Sequence, residues 1–267
     1  MECNGRVYLV GAGPGAVDLL TLRAARLIAE ADIVLHDALV GADVLALATR
    51  AEIVDVGKRC GLASTSQSFI GRRLVEAARR HRSVLRLKGG DPMLFGRAQE
   101  EIDVLIDAGI DFEIVPGVTA AFAAAADLRS PLTVRGLGRS VAFLTARVGR
   151  GEEPGNWWRA AVAADMAAIY MAGRQLAELA DELIGAGIPA ARPVALVSNA
   201  SMPSVEWQRL TLGMLRDPGV RVGDAPTLLL IGEALGRDNG AHGYHGPLFA
   251  PGTSSESVPR SPSRLAA

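Results

Sequence analysis

An α/β fold of two units is what this sequence predicts, and three features predict it. Short apolar runs recur along the chain with helical stretches between them, the rhythm of βαβ units and a mostly parallel sheet. Glycine-rich turns follow two of those runs directly, at Gly11-Ala12-Gly13-Pro14-Gly15 and at Gly89-Gly90. Aromatic residues make up only 4% of a chain that is 49% hydrophobic. The core must therefore be Ala, Leu, Val and Ile, the usual filling of helices packed on a parallel sheet.

The elements follow in order. Residues 6–10 read as a strand running into the first glycine turn, and Asp18 or Thr21 is placed to cap the Leu- and Ala-rich helix that extends to Ala31. A second run at 33–35 leads to Asp37, and a third ends in Val56-Gly57-Lys58-Arg59. Residues 69–80 have helical periodicity with a basic outer face. Residues 84–87 form another strand, which runs into Lys88-Gly89-Gly90-Asp91-Pro92. A helix through Ile106 follows, then a strand over 112–115 and the loop Pro116-Gly117-Val118-Thr119. The Ala-rich stretch 120–126 carries the chain into the second unit. There, apolar runs at 141–144, 167–170, 194–197 and 228–231 repeat the strand rhythm, with helical segments such as 175–184 between them. The boundary is expected near Gly117, giving units 1–117 and 118–236, and no short-period repeat is visible. From about Arg237 the chain is rich in Gly, Pro and Ser and cannot bury enough apolar surface to offset the entropy of ordering. Residues 237–267 are expected to be a disordered tail, too short for a further domain; His242 and His245 lie in it and are poor metal candidates.

Charge and cysteine content exclude several classes. At 267 residues and a net charge of −1, the chain lacks the basic surface that broad nucleic-acid binding needs, so charge for an anionic ligand must be local. Cys3 and Cys60 offer no disulfide or metal framework, which suits a reducing compartment. The first residues lack the basic region and apolar run of a signal peptide, and no stretch reaches membrane-spanning length. A cytoplasmic protein with no membrane partner, no nucleic-acid partner and no metal is expected.

Two loops carry the chemistry. Gly11-x-Gly13-x-x-Ala16 fits a relaxed dinucleotide fingerprint, with Asp37 about where a ribose-binding acid would lie, but a tight turn without ligand explains it too. The stretch Arg86-Leu87-Lys88-Gly89-Gly90-Asp91-Pro92-Met93-Leu94-Phe95-Gly96-Arg97 is far more specific. Paired glycines remove side chains where a strand ends, and Pro92 fixes the chain direction. Asp91 supplies a carboxylate that can accept from ribose hydroxyls, face a sulfonium, or cap a helix.

With these pieces in view, the chain resembles the uroporphyrinogen-III C-methyltransferase family over about residues 6–236. The landmarks are VYLVGAGPG, the aspartate of HDALV, VGKR, RLKGGDPMLFGR followed by Glu100-Glu101, VPGVTAA, PLT with Arg135, and IYMAG, in the family's order and approximate spacing. The resemblance implies a tetrapyrrole-methylase-like fold of two α/β units with S-adenosylmethionine in the cleft between them. It implies cofactor contacts at Pro14, Gly89, Gly90, Asp91, Leu94, Thr119, Ala120, Met171 and Ala200. It implies Asp37 as proton acceptor and Lys58 as proton donor, although a turn residue and a solvated surface charge are the plainer roles for these two. Arg97, Glu100 and Arg135 fall on substrate contacts. Guanidinium forks suit a tetrapyrrole bearing eight carboxylates, because they meet carboxylates bidentately.

By the same resemblance the reaction is methylation of uroporphyrinogen III to precorrin-2, with S-adenosylhomocysteine as by-product and sirohaem or cobalamin synthesis as the destination. A homodimer is expected on the same ground. The sequence departs from the family at Val134, Ala98-Gln99, Ala146-Arg147, Ala200 and the loop after Arg59, which leaves open a related precorrin methyltransferase acting at another position or a non-catalytic S-adenosylmethionine-binding relative. An NAD-dependent oxidoreductase remains the alternative suggested by the first glycine loop, but it leaves the Gly89-Gly90-Asp91-Pro92 loop unexplained.

Overall fold

The computed structural model describes residues 5–57, 67–147, 155–173 and 175–237. Lys58, the loop after Arg59, both cysteines and the expected tail from residue 238 onward lie outside them. The first half runs β1 (Arg6–Gly11), α1 (Leu22–Glu30), β2 (Ile33–His36), α2 (Ala42–Leu45), β3 (Glu52–Asp55), α3 (Gln67–Arg80), β4 (Ser83–Lys88), α4 (Ala98–Asp107) and β5 (Phe112–Val115). The second runs α5 (Ala120–Asp127), β6 (Val141–Thr145), α6 (Trp157–Ala163), β7 (Met166–Tyr170), α7 (Leu176–Gly185), β8 (Pro193–Ser198), β9 (Glu206–Thr211) and β10 (Thr227–Gly232).

The first sheet has the order β3-β2-β4-β1-β5 and every pairing is parallel. Period-2 alternation divides its side chains. Val7, Leu9, Ile33, Leu35 and Val84 pack with α3 and α4, while Val10, Val34, Leu85 and Leu87 pack with α1. Of the two capping candidates for α1 it is Thr21 that serves, its side chain accepting from the Ala24 N–H at 3.1 Å.

The second sheet has the order β6-β7-β10-β8-β9. Here the expectation of a mostly parallel sheet is corrected: β6 and β7 pair parallel, but β10 pairs antiparallel with both β7 and β8, and β9 pairs antiparallel with β8. The βα rhythm does set a common direction for β6, β7 and β8. The chain then reverses after Ser198, and β10 returns between β7 and β8, which apolar runs alone cannot reveal. The half-polar edge strand β9 (EWQRLT) also carries no apolar run to betray it. Helix α5 packs its alanines, Ala121, Ala123 and Ala124, on this second sheet beside Met166, Ala168, Ala195 and Leu230.

Candidate active site

The connection from β1 leads to β2 on one side of the first sheet, and that from β4 leads to β5 on the other. Between β4 and β1 the winding therefore reverses, the place where open parallel sheets bind ligands outside their carboxyl ends. Glycine governs the contacts there. A Cβ on Gly117 would lie 2.3 Å from the Gly90 carbonyl oxygen and 2.9 Å from Gly11 Cα, and one on Gly11 would lie 2.6 Å from Gly117 Cα. Three loops thus pack backbone on backbone. Gly13 and Gly90 exchange N–H···O=C bonds at 3.2 and 2.7 Å. Gly90 is left-handed at φ +69°, and a Cβ there would meet nothing within 4 Å, so its outer face opens on free space.

Asp91 holds this arrangement. One carboxylate oxygen accepts from Met93 N–H at 2.8 Å and the other from Gly117 N–H at 2.9 Å. The side chain expected to meet a ligand therefore spans the loops after β4 and β5, fixing the ledge on which a ligand can rest.

Below the ledge lies a buried charge cluster. Arg86 and Lys88 alternate with apolar residues on β4 and face α4, where Glu101 is fully buried; Arg86 and Lys88 are each 2% exposed. Arg86 Nε and Lys88 Nζ both donate to Glu101, at 2.9 Å. Arg86 also reaches forward to Asp37 Oδ1 at 2.5 Å. Burial opposes the charge on Arg86, but the Asp37 and Glu101 carboxylates outweigh it and raise its pKa above the ordinary value. Burial, and then the like charge of Arg86, pull the Lys88 ammonium below its ordinary value, against the attraction of Glu101. Removing one partner from such a cluster leaves an uncompensated buried charge, at a cost of about 3–5 kcal/mol.

The second half faces the same ledge. Tyr170, at the end of β7, shares a 2.6 Å hydrogen bond with Thr119 Oγ1, and its ring lies 5.1 Å from that of Phe95. Burial raises the Tyr170 phenol above its ordinary value, with the Thr119 bond working the other way. Ala16 N–H donates to Ser201 Oγ at 3.1 Å, and Ser201 N–H donates to Asp127 at 2.8 Å. From Tyr170 the rings continue to Phe143 at 6.4 Å and Phe122 at 6.0 Å. There Phe122, Ala125, Leu132, Thr133, Val141 and Phe143 line an apolar groove of about 440 Å³. Among the described residues, five of the six non-glycine residues with positive φ, namely Phe95, Arg97, Met171, Asn199 and Ser201, belong to these facing loops. Backbone strain gathers where structure is held for function.

The expected site residues are distributed as follows. Pro14, Gly89, Gly90, Asp91 and Leu94 belong to the loops after β1 and β4, Thr119 ends the loop that leads from β5 into the second half, and Ala120 opens α5. Met171 follows β7 and is 48% exposed, while Ala200 is buried beside Ser201. Asp37 follows β2, its side chain 29% exposed. Arg97 and Glu100 form an exposed two-bond pair at 2.7 Å. Arg135 is exposed on the turn closed between Val134 and Gly138. Lys58 lies outside the described residues.

Sequence reasoning gave no role to Arg86, Lys88, Glu101, Phe95, Tyr170 or Ser201. For the charged trio a signal existed: Arg-x-Lys within an otherwise apolar strand, followed by an acid on the next helix. Among the described residues no group of three or more His, Cys, Asp or Glu side chains is placed to hold a metal ion, and no helix is long and apolar enough to cross a membrane.

Residues 6–216 match the family described as tetrapyrrole (corrin/porphyrin) methylases. The chain is 43% identical over 231 residues to a uroporphyrinogen-III C-methyltransferase of Pseudomonas aeruginosa, covering 86% of this chain and 94% of the relative. It is 41% identical to a siroheme synthase of Cronobacter sakazakii over 87% of its own length and spans 49% of that longer protein. Its fold is similar to that of a uroporphyrin-III C-methyl transferase from Thermus thermophilus complexed with S-adenyl homocysteine, with a TM-score of 0.76 and 39% identity over 86% of this chain and 99% of the other.

Proposed function

Since the chain belongs to the tetrapyrrole (corrin/porphyrin) methylase family, we propose that it is a uroporphyrinogen-III C-methyltransferase. It transfers methyl groups from S-adenosylmethionine to ring carbons of uroporphyrinogen III and gives precorrin-2, the precursor of sirohaem and cobalamin. The observation that carries this reading is the meeting of loops from both halves on one cleft, with Phe95 of the first against Tyr170 of the second and Ala16 of the first bonded to Ser201 of the second. Exposed guanidiniums stand near both ends of the run of rings. Arg97 is two residues beyond Phe95, and Arg135 is two residues beyond Thr133 of the groove. An apolar floor with cations at its margins suits a macrocycle whose rim carries carboxylates.

The residues present fit the methyl donor. Gly89 and Gly90 leave bare backbone, Met171 offers an exposed thioether, and Ala120 and Ala200 keep the flanks small. Pro14, Asp91, Leu94 and Thr119 complete that contact set. When bound, S-adenosylmethionine supplies an electrophilic methyl group. Asp37 then takes the ring proton that C-methylation makes acidic, Lys58 returns a proton, and Arg97, Glu100 and Arg135 hold the substrate in line. We divide the chain near Gly117 and take the enzyme to be a cytoplasmic homodimer.

The test is incubation of the protein with uroporphyrinogen III and labelled S-adenosylmethionine. A dimethylated product is expected, and binding of S-adenosylhomocysteine without product would sink the assignment in favour of a non-catalytic relative. Arg97→Ala should weaken apparent substrate affinity by roughly tenfold to a hundredfold, the loss of one charge-assisted bond.

A further inference from the structure

Building on Asp37 as the base, we propose that Arg86 is the positioning residue that aims its carboxylate and sets a fixed cation beside it, with Glu101 and Lys88 holding Arg86 in place. The geometry leaves Arg86 no freedom. Its three guanidinium nitrogens have three separate partners: Asp37 Oδ1 at 2.5 Å, Glu101 Oε1 at 2.9 Å and the Leu87 carbonyl at 3.2 Å. Glu101 is held just as fully, accepting from Arg86, from Lys88 through both oxygens, and from Gln67 at 3.2 Å. Three of the four charged groups are buried, and only Asp37 has part of its side chain in the open. Its Oδ1 is fixed by Arg86, and among the described residues no hydrogen bond engages Oδ2.

Stability does not explain this cluster, because apolar side chains of similar size would fill the space at least as well. A fixed cation beneath a working carboxylate does explain it. Arg86 is suited to that task because its charge persists at any pH, whereas burial makes Lys88 the easier cation to neutralise. Among the described residues, Asp55 ends β3 in register with His36 and directs its carboxylate to Gly57 N–H, and His36 Nδ1 bonds the Asp37 carbonyl.

The four groups balance, two cations against two anions, so changes on the two sides of Arg86 have opposite signs. Arg86→Gln leaves Asp37 facing Glu101 with Lys88 already engaged, and its carboxyl becomes easier to protonate. Glu101→Gln turns both cations on Asp37 and makes it harder to protonate.

The experiment measures kcat against pH at saturating uroporphyrinogen III and S-adenosylmethionine for these two variants, Arg86→Lys and Asp37→Asn, with S-adenosylhomocysteine affinity as the parallel readout. In Arg86→Gln the acid limb should move up by about one pH unit or more, and the plateau should fall about tenfold or more, with S-adenosylhomocysteine affinity unchanged. Arg86→Lys, which keeps the charge, should restore the limb and part of the plateau. In Glu101→Gln the limb should move down. An Arg86→Gln limb that stays in place while rate, thermal stability and cofactor affinity fall together would make Arg86 a mere strut and overturn the proposal. Should Arg86→Gln fail to fold, a Glu101→Gln limb that does not move down overturns it equally. A wild-type protein that forms no dimethylated product, or a fully active Asp37→Asn, would instead refute the functional assignment beneath it.

Discussion

Asp32, just ahead of β2, accepts from the N–H groups of Arg82 and Ser83 at 3.0 and 2.9 Å, and Asp165, just ahead of β7, does the same for Arg139 and Ser140 at 2.8 and 3.0 Å. In each half an aspartate joins the start of one strand to the start of its neighbour, and the residues caught are Arg-Ser followed by Val in both. At their amino ends, then, the two sheets use one device. At the ends that face the cleft they differ. The first half brings its loops together through glycine, at Gly11, Gly90 and Gly117. The second keeps side chains on strained backbone, with Met171, Asn199 and Ser201 at φ between +52° and +69°, a trait it shares with Phe95 and Arg97 of the first half at +52° and +53°. The matching ends serve stability; the unlike ends divide the work of a ligand site. Close backbone approach supplies a ledge, and strained side chains supply the facing contacts.

The most damaging way to test that division is Gly117→Ala. The added methyl would sit 2.3 Å from the Gly90 carbonyl, where only backbone could give way, so the three loops must part. Overpacking of this kind costs about 1–3 kcal/mol, and Tm should fall by roughly 5 °C. S-adenosylhomocysteine affinity should fall about tenfold or more, because the ledge itself moves. Calorimetric titration and thermal melting check both, beside Gly185→Ala in α7, where the methyl meets nothing within 4 Å and the helix should gain up to about 1 kcal/mol. If Gly117→Ala bound S-adenosylhomocysteine like the parent protein, backbone packing would not be what shapes the first half of the site.

The same contrast explains what could be read from the chain. Gly11, Gly89, Gly90 and Gly117 announce themselves because glycine after an apolar run has few other uses, and they led to the correct strand ends. The parallel first sheet was legible for a related reason, since its inner strands β1, β2 and β4 are largely buried, mostly apolar runs and each strand is separated from the next by a helix. Met171 and Ala200 carry no such mark and were reached only through family resemblance. Tyr170 and Ser201 were missed, because the contacts that single them out, Tyr170 with Phe95 and Ser201 with Ala16, run across the two halves. The antiparallel return of β10 was illegible for the same reason: Leu228 to Ile231 look alike in either direction, and only the hairpin between β8 and β9 reverses them. Arg86 and Lys88 were in plain view, but their meaning required Glu101 on the facing helix.

A subtler test acts on the second half. Met171 holds a left-handed backbone that costs an L-residue about 1–2 kcal/mol, and it is 48% exposed, so little burial is lost on truncation. Met171→Gly should therefore leave Tm unchanged or raise it by roughly 2 °C, since relief of strain outweighs the added freedom of the unfolded chain. Affinity for S-adenosylhomocysteine should fall about tenfold even so, the loss of one well-packed apolar side chain at a ligand. Stability and binding moving in opposite directions would mark Met171 as strained for its ligand. If both fell together, the strain would belong to the fold alone.

The smallest expected effect probes the ends that match. Arg139 N–H, the Ser140 hydroxyl and Ser140 N–H all donate to Asp165 and hold its carboxyl below the ordinary value of 3.8. A carboxyl whose pKa is lower in the folded state lends stability above its unfolded value and loses it as the pH falls through the folded one. Asp165→Asn keeps one acceptor oxygen but no charge, and the site is open to solvent, so Tm at neutral pH should drop by roughly 2 °C or less. That gap should be flat above about pH 5 and close progressively below 3.8 as the parent carboxyl protonates. Methyl transfer measured at neutral pH should not change, because this aspartate sits at the end of the sheet away from the cleft. A loss of turnover without a loss of stability would mean that the two ends of the second sheet are coupled, and that the separation of scaffold from site seen here is incomplete.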